Sequence, residues 1–160
     1  MGNKLALVAE LPTIDNPAMS VSSLRLHECL AKGTLAAAAE LTPKDLPELL
    51  DYKRECERLL VYSTPTQIAE ELVVLFSFYP AQKLPESVGD AKLKLWLNDL
   101  RELPYDVLKA ACATWRRSTE KFAPSPGQLL STVDPIMSIR RGYYRRVASV
   151  IEIINRQVDA

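Results

Sequence analysis

Four times after residue 41 of this sequence a residue that caps helices stands directly before a proline: Thr42-Pro43, Thr64-Pro65, Ser125-Pro126 and Asp134-Pro135. The capping side chain accepts an unpaired backbone N–H at the start of a helix. Proline suits the next position, because its missing N–H has no partner there. The caps at Thr64 and Ser125 have glutamine three residues later, the spacing of a capping box. These dipeptides predict helices over residues 43–62, 65–79, 126–132 and 135–158.

Apolar side chains that recur every three or four residues indicate two further helices between these segments. They cover residues 88–102 and 104–117 and are separated from their neighbours by prolines. Shorter helices are predicted over residues 22–32 and 35–41. No stretch alternates apolar and polar residues for long enough to predict a strand. The fold class that follows is all-α: a small helical bundle with a long C-terminal amphipathic helix.

The predicted helices also divide the 160 residues into segments. This length is sufficient for one domain with a hydrophobic core and an additional arm or tail. The sequence predicts a mobile N-terminal arm over residues 1–20 and a set of N-terminal helices over residues 21–62. A helical core domain over residues 63–132 and a long basic amphipathic helix over residues 134–160 follow.

The predicted C-terminal helix has a heptad-like apolar seam that is suited to pairing with another helix. Tyr144 and Ile151 widen this seam, and arginines flank it. We expect the helix to project and to place this seam in a groove of a partner, while the arginines steer the encounter. The predicted partner-binding residues are Ile136, Ile139, Arg140, Arg141, Tyr143, Tyr144, Arg145, Arg146, Val147, Val150 and Ile154.

Charge is unevenly placed along the chain, although its formal net value is zero. Residues 1–100 carry 10 basic and 14 acidic groups, and residues 101–160 carry 10 basic and 6 acidic groups. The basic excess in the second part indicates a surface for an acidic partner, or alternatively ordinary solvated helix faces. Arg116, Arg117 and Lys121 are candidate phosphate contacts. Their alternative role is to stabilise the negative end of the helix dipole.

Side chains that often carry chemistry have structural interpretations here. The single histidine, His27, has no neighbouring nucleophile or carboxylate partner in a recognisable pattern. Trp96 and Trp115 stand at helical spacing, which favours core anchors over binding aromatics. Cys29, Cys56 and Cys112 are odd in number and far apart, which is typical of thiols in a reducing compartment.

Sequence motifs for catalysis are missing from the chain, including a phosphate-binding P-loop and the GxSxG and GxGxxG patterns. We therefore expect a protein that is not an enzyme and that uses no cofactor or metal. The chain contains no apolar run near the roughly 18 residues that a membrane-spanning helix requires. A cytoplasmic protein without a membrane partner is the expectation.

One stretch of the sequence, residues 68–130, resembles a known family. It combines an apolar helix ending in Tyr79-Pro80, a helix with a central Trp96, and Leu-Pro-Tyr-Asp-Val over residues 103–107. It then continues through Ala110, Ala111, Cys112 and Trp115 to the segment Lys121-Phe122-Ala123-Pro124-Ser125-Pro126-Gly127-Gln128-Leu129. This order is similar to the skeleton of the phage replicative helicase loader/inhibitor family.

The resemblance implies a function in phage or prophage DNA replication, in the cytosol of a bacterial host. A member of this family binds a hexameric replicative helicase and loads or inhibits it. The resemblance also implies that the C-terminal segment, residues 134–160, engages the helicase. Members lack ATPase activity, in agreement with the missing P-loop.

Two other functions stay open on the residues alone. The first is direct DNA binding by a phage regulatory or packaging protein, with Arg140, Arg141, Arg145 and Arg146 on phosphates. The second is a self-associating structural module, a homo-oligomer in which residues 135–158 pair with the same helix of a second copy.

Overall fold

The computed structural model describes residues 21–80 and 86–158, and the predicted arm, residues 1–20, lies outside them. The described residues form α-helices and one 3-10 helix, Pro43–Asp45, but no strand. The predicted all-α class is therefore confirmed. The α-helices are α1 Val21–Ala31, α2 Thr34–Glu40, α3 Leu46–Arg58, α4 Pro65–Ser77, α5 Glu86–Leu100, α6 Tyr105–Arg116 and α7 Pro126–Val158.

Capping residues set the starts of α4 and α7 as the sequence predicts. The Thr64 hydroxyl accepts the N–H of Gln67 at 3.2 Å, and the Gln67 side chain accepts the N–H of Thr64 at 2.9 Å. Ser125 and Gln128 form the same reciprocal pair, with distances of 3.3 and 2.8 Å. Each pair satisfies two donors that a helix start leaves without partners.

The predicted helix break at Asp134-Pro135 is wrong, because α7 continues through Pro135. An interior proline removes one helical hydrogen bond and crowds the preceding turn, at a cost of about 3 kcal/mol. Packing on both sides of the proline offsets this cost. The buried stripe of α7 passes the proline without a change of face, through Leu129, Val133 and Met137. Local sequence signals are overridden here by burial.

The described residues group into two compact units. The first, which we call the contiguous unit, consists of residues 61–80 and 86–135. The second, the composite unit, combines residues 21–60 with residues 136–158. The boundary near residue 60 lies close to the one predicted between residues 62 and 63. The later part of α7 belongs with the N-terminal helices and does not form a segment of its own.

A buried apolar cluster joins α1, α2, α3 and the later part of α7 within the composite unit. Its members lie at helical spacing on each element, so that each helix contributes one apolar face. Burial of this surface is the main favourable contribution to the folding of the unit. The cluster contains Leu26, Cys29, Leu30, Ala37, Leu41, Leu49, Tyr52, Cys56, Val147, Val150, Ile151 and Ile154.

The contiguous unit packs α4 against α6 and α5, and the start of α7 contributes Leu129 and Val133 to its buried side chains. A short connection fastens its entry segment. The buried Ser63 donates its backbone N–H and its hydroxyl to the carbonyl of Leu103, at 2.8 and 2.7 Å. These two bonds hold the start of α4 beside the loop that leads into α6.

Candidate binding groove and the predicted basic helix

The apolar seam of α7 lies inside the composite unit. Val147, Val150 and Ile154 are fully buried in its core, with Tyr143 and Tyr144 partly buried against it. Among the predicted seam residues, Ile139 remains 58% exposed. The expectation that this helix projects with a free seam is therefore wrong. The seam is buried because α1 and α3 supply the apolar faces that a partner was expected to supply.

Two arginines of the predicted basic set bind carbonyls at helix ends. Arg140 donates from Nη1 to the carbonyl of Leu59 at 2.8 Å, and Arg146 donates from Nη1 to the carbonyl of Leu30 at 3.2 Å. Leu59 follows the last residue of α3, and Leu30 lies in the last turn of α1. Carbonyls at a helix end have no partner within the helix. Arg140 supplies a donor to such a carbonyl at Leu59, whereas the carbonyl of Leu30 accepts both from Arg146 and from the N–H of Gly33 at 3.2 Å. Arg140 and Arg146 are thus engaged within the composite unit.

The other two arginines of that set, Arg141 and Arg145, are exposed. Arg145 donates from Nε to the carbonyl of Arg141, one turn earlier, at 3.3 Å. The predicted group of four cations on one surface is thereby reduced to two that face solvent. A protein binds a nucleic-acid backbone tightly only where several of its cations neutralise phosphates together.

His27 takes part in a packed group of rings in the composite unit. Its Nδ1 shares a hydrogen bond of 2.9 Å with the hydroxyl of Tyr52. Its ring stacks on Tyr143 at 4.4 Å between centroids, and the Arg146 guanidinium lies 5.3 Å from the Tyr143 ring. Burial lowers the pKa of His27 below its ordinary value. The arrangement agrees with the structural interpretation of this histidine.

Arg116, a predicted phosphate contact, faces inward in the contiguous unit. Its Nη1 is 3.6 Å from a carboxylate oxygen of Glu71, which is itself buried. The hydroxyl of Tyr105 donates to the other oxygen of Glu71 at 3.2 Å. Arg116 therefore pairs with a buried carboxylate, which gives its assignment as a phosphate contact less support. Arg117 and Lys121 are exposed, as a phosphate contact requires.

The described part of the chain contains neither a metal-binding cluster nor a helix suited to crossing a membrane. No three His, Cys, Asp or Glu side chains there come together in a way that holds a metal ion. The cysteines are free and buried, in the two cores. No helix within residues 21–80 and 86–158 combines the length and the apolar character needed to cross a bilayer.

A groove of about 480 Å³ opens on the contiguous unit. Three segments line it: Phe76 near the end of α4 together with residues 79–80, residues 89–96 of α5, and residues 122–124 in the loop before α7. Aromatic rings and prolines dominate this lining. The lining residues are Phe76, Tyr79, Pro80, Gly89, Lys92, Leu93, Trp96, Phe122, Ala123 and Pro124.

The groove has a fixed floor and an open rim. Trp96 is only 3% exposed, and its ring meets the Phe76 ring edge to face, with 5.2 Å between centroids. The hydroxyl of Tyr79 donates to the carbonyl of Trp115 at 3.0 Å, which fixes the position of the Tyr79 ring. Phe122, in contrast, is 79% exposed at the rim. An exposed aromatic beside ordered rings is a typical anchor for a partner side chain.

Sequence reasoning did not identify this groove, because its lining comes from three separated segments. The burial of Trp96 agrees with its interpretation as a core anchor, and the same ring also forms part of the groove floor. A signal was nevertheless present, since the residues that carry the family resemblance include Tyr79-Pro80 and Phe122-Ala123-Pro124. Several positions of that skeleton line the groove.

Comparison with known proteins gives no match: no family model, no curated protein and no solved structure is significantly similar to this chain.

Proposed function

We propose that this protein is a non-catalytic adaptor of phage or prophage DNA replication that binds a replicative helicase through the groove of the contiguous unit. The observation that carries the proposal is the coincidence of two independent features. Residues 68–130, which resemble the helicase loader/inhibitor family, fall within the contiguous unit of residues 61–135. Within this stretch, residues that make up the family skeleton line an aromatic groove.

The groove has the physical character of a protein-binding site. Its floor is rigid, because Phe76 and Trp96 pack on one another and Tyr79 is tied to the backbone of α6. A rigid floor lowers the entropy that binding costs. Phe122 leaves apolar surface in water that a partner would cover, and aromatic side chains of this kind dominate the energetics of interfaces.

Direct DNA binding has less support from the structure. Arg116, Arg140 and Arg146 are engaged within the protein, by Glu71 and by the carbonyls of Leu59 and Leu30. Self-association through residues 135–158 also has less support, since the seam it requires is in the core of the composite unit. The groove is therefore the surface on which we base the proposal.

Capture of a purified helicase tests the proposal. The full chain, immobilised, is expected to retain the hexameric replicative helicase of the bacterial host. Phe122→Ala is expected to weaken this retention about tenfold, the effect of removing one aromatic anchor from an interface. Deletion of residues 134–160 is unsuitable for this test, because it removes buried core residues of the composite unit.

Phe78→Ala is the matched control. Phe78 is 64% exposed and follows the last residue of α4, but it does not line the groove. Both phenylalanines are so exposed that their loss leaves the fold intact, which circular dichroism verifies. The proposal is contradicted by a folded wild-type chain that retains no helicase. Its location in the groove is contradicted by equal retention of both variants.

A further inference from the structure

We propose that the groove of the contiguous unit takes an uncharged segment of the partner that inserts a bulky apolar side chain, and that Gly89 determines this specificity. The inference rests on the proposed adaptor function and specifies the chemistry of what is bound. It follows from the open space at Gly89, from the exposed apolar side chains beside that space, and from the charge of the lining.

Gly89 leaves space that the fold itself does not use. It lies near the start of α5 and lines the groove. Its φ is not positive, and a Cβ atom added to it would meet no atom within 4 Å. Glycine is also less favourable than alanine in a helix. Neither packing nor helix stability therefore requires glycine here, whereas the close approach of another chain to the helix backbone does.

Apolar side chains that face water border this space. Leu93 lies one turn after Gly89 on α5 and is 42% exposed, and Phe122 is exposed at the rim. The Trp96 ring is almost fully buried and closes the floor, so it offers no free face to a partner. A bulky apolar side chain seated in the groove would cover Leu93 and Phe122 and remove their surface from water, which favours binding.

The charge of the lining disfavours a charged occupant. Of the lining residues within the described part of the chain, Lys92 alone carries a formal charge. Lys92 is already engaged within the protein, and its Nζ lies 5.9 Å from the centroid of the Phe76 ring. A charged group of the occupant would lose water in the groove without gaining a free partner, which is costly. An uncharged segment meets no such cost.

The size of the groove fits a short segment. Its volume of about 480 Å³ lies in the range of roughly 300–1,000 Å³ that ligand pockets cover. This space holds a few residues and excludes a folded domain. A partner would therefore present a loop or a tail whose apolar side chain enters above Gly89.

Single-stranded nucleic acid fits the same groove less well. It requires free ring faces for base stacking and a row of cations along its backbone. Phe76 and Trp96 meet edge to face, with 5.2 Å between centroids, and so do not offer parallel faces. The engaged Lys92 is the one lining cation among the described residues.

Fluorescence anisotropy of short labelled peptides tests the chemistry on the full chain. The first peptide contains two leucines among serines and alanines and has blocked, uncharged ends. The second keeps the leucines but has glutamate in place of two serines, and the third has alanine in place of the leucines. We expect the first peptide to bind, and the second and third to bind about tenfold more weakly.

A pair of glycine variants tests the role of Gly89. Gly89→Leu fills the space that the occupant would use and should weaken both the leucine peptide and the retention of helicase about tenfold. Gly127→Leu is the control, because Gly127 also has open space around it and lies on a helix of the same unit, but does not line the groove. Both variants should keep the circular dichroism of the wild type, since leucine is a better helix former than glycine.

Each contrary result overturns a stated part of the inference. Equal affinity for the leucine and glutamate peptides removes the uncharged requirement, and equal affinity for the leucine and alanine peptides removes the bulky side chain. Equal binding by Gly89→Leu and Gly127→Leu removes the role of Gly89. If the helicase is retained but the leucine peptide is not bound, the inferred chemistry is wrong while the adaptor function stands. If the leucine peptide is bound but the helicase is not retained, the identity of the partner is wrong while the groove chemistry stands.

Discussion

The composite and contiguous units use similar side chains for different purposes. In the composite unit, Arg140, Arg146 and Tyr143 turn toward backbone carbonyls and neighbouring rings, and the apolar seam of α7 is covered. In the contiguous unit, Trp96 forms the floor of a groove whose rim residue Phe122 faces water. The comparison teaches that a basic, heptad-like helix is not by itself a binding surface. The surface that we propose for a partner lies instead on the contiguous unit, where Phe122 is exposed beside ordered rings.

The largest effect is expected from truncation of the seam of α7. Ile154→Ala opens a cavity in the core of the composite unit and should lower the free energy of unfolding by about 2–5 kcal/mol. Ile139→Ala, on the same helix but 58% exposed, should change it by less than about 0.5 kcal/mol. Urea unfolding followed by circular dichroism measures both.

Tryptophan emission then separates the two units. Both tryptophans, Trp96 and Trp115, lie in the contiguous unit. We expect Ile154→Ala to shift the loss of helix signal to lower urea more than it shifts the change in tryptophan emission. Equal stability of the Ile154 and Ile139 variants would contradict the burial of the seam in the composite unit and would indicate a free surface.

The next effect concerns the arginines that complete helix ends. Arg140→Ala leaves the carbonyl of Leu59 without this donor and should cost about 1–3 kcal/mol. Arg145→Ala is the control, because Arg145 is exposed and lies on the same helix; its effect should stay within about 0.5 kcal/mol. Thermal unfolding at fixed pH measures the difference, and matched melting curves for both variants would contradict the role given to Arg140.

A smaller effect of opposite sign is expected at the interior proline of α7. Pro135→Ala restores a backbone N–H that can bond the carbonyl of Ser131 one turn earlier. The gain should be about 1 kcal/mol, part of the ~3 kcal/mol that an interior proline costs. A lower melting temperature for this variant would show that the proline relieves a constraint that the continuous helix otherwise imposes.

The smallest effect is a pH dependence of the composite unit. Burial depresses the pKa of His27 in the folded protein below its ordinary value of 6.5. The stability linked to this neutral ring is thus fully present above about pH 6.5 and declines as the pH falls toward the depressed folded pKa. In His27→Asn this component should vanish. Chemical unfolding of both proteins at pH values on either side of 6.5 gives the comparison, and parallel curves would exclude the linkage.

Local signals in the sequence were sufficient to predict the fold class and most helix boundaries. The capping boxes at Thr64 and Ser125 form as expected, because they depend on residues within one turn. The break at Pro135 was wrong, since a local signal cannot include the packing that continues through Leu129, Val133 and Met137. Local features such as capping boxes can be predicted from the sequence where no contact with a distant residue opposes them.

The prediction that the seam of α7 is free for a partner was wrong for a related reason. The periodicity of α7 shows that Val150 and Ile154 share a face, but it does not show what covers that face. The covering residues, such as Leu30 and Leu49, are far away in the sequence. The groove was missed in the same way, because Phe76, Trp96 and Phe122 meet only in the folded contiguous unit.

The connections made by Arg140 and Arg146 also bear on the order in which the chain acquires its structure during synthesis. They join residues that are 81 and 116 positions apart in the sequence. The core of the composite unit includes residues 147–154. During synthesis, α1 and α3 therefore cannot complete their packing until those residues have emerged from the ribosome. The described part of the contiguous unit, residues 61–80 and 86–135, is translated before them. The groove can therefore assemble while the helices translated first are still without their final packing partner.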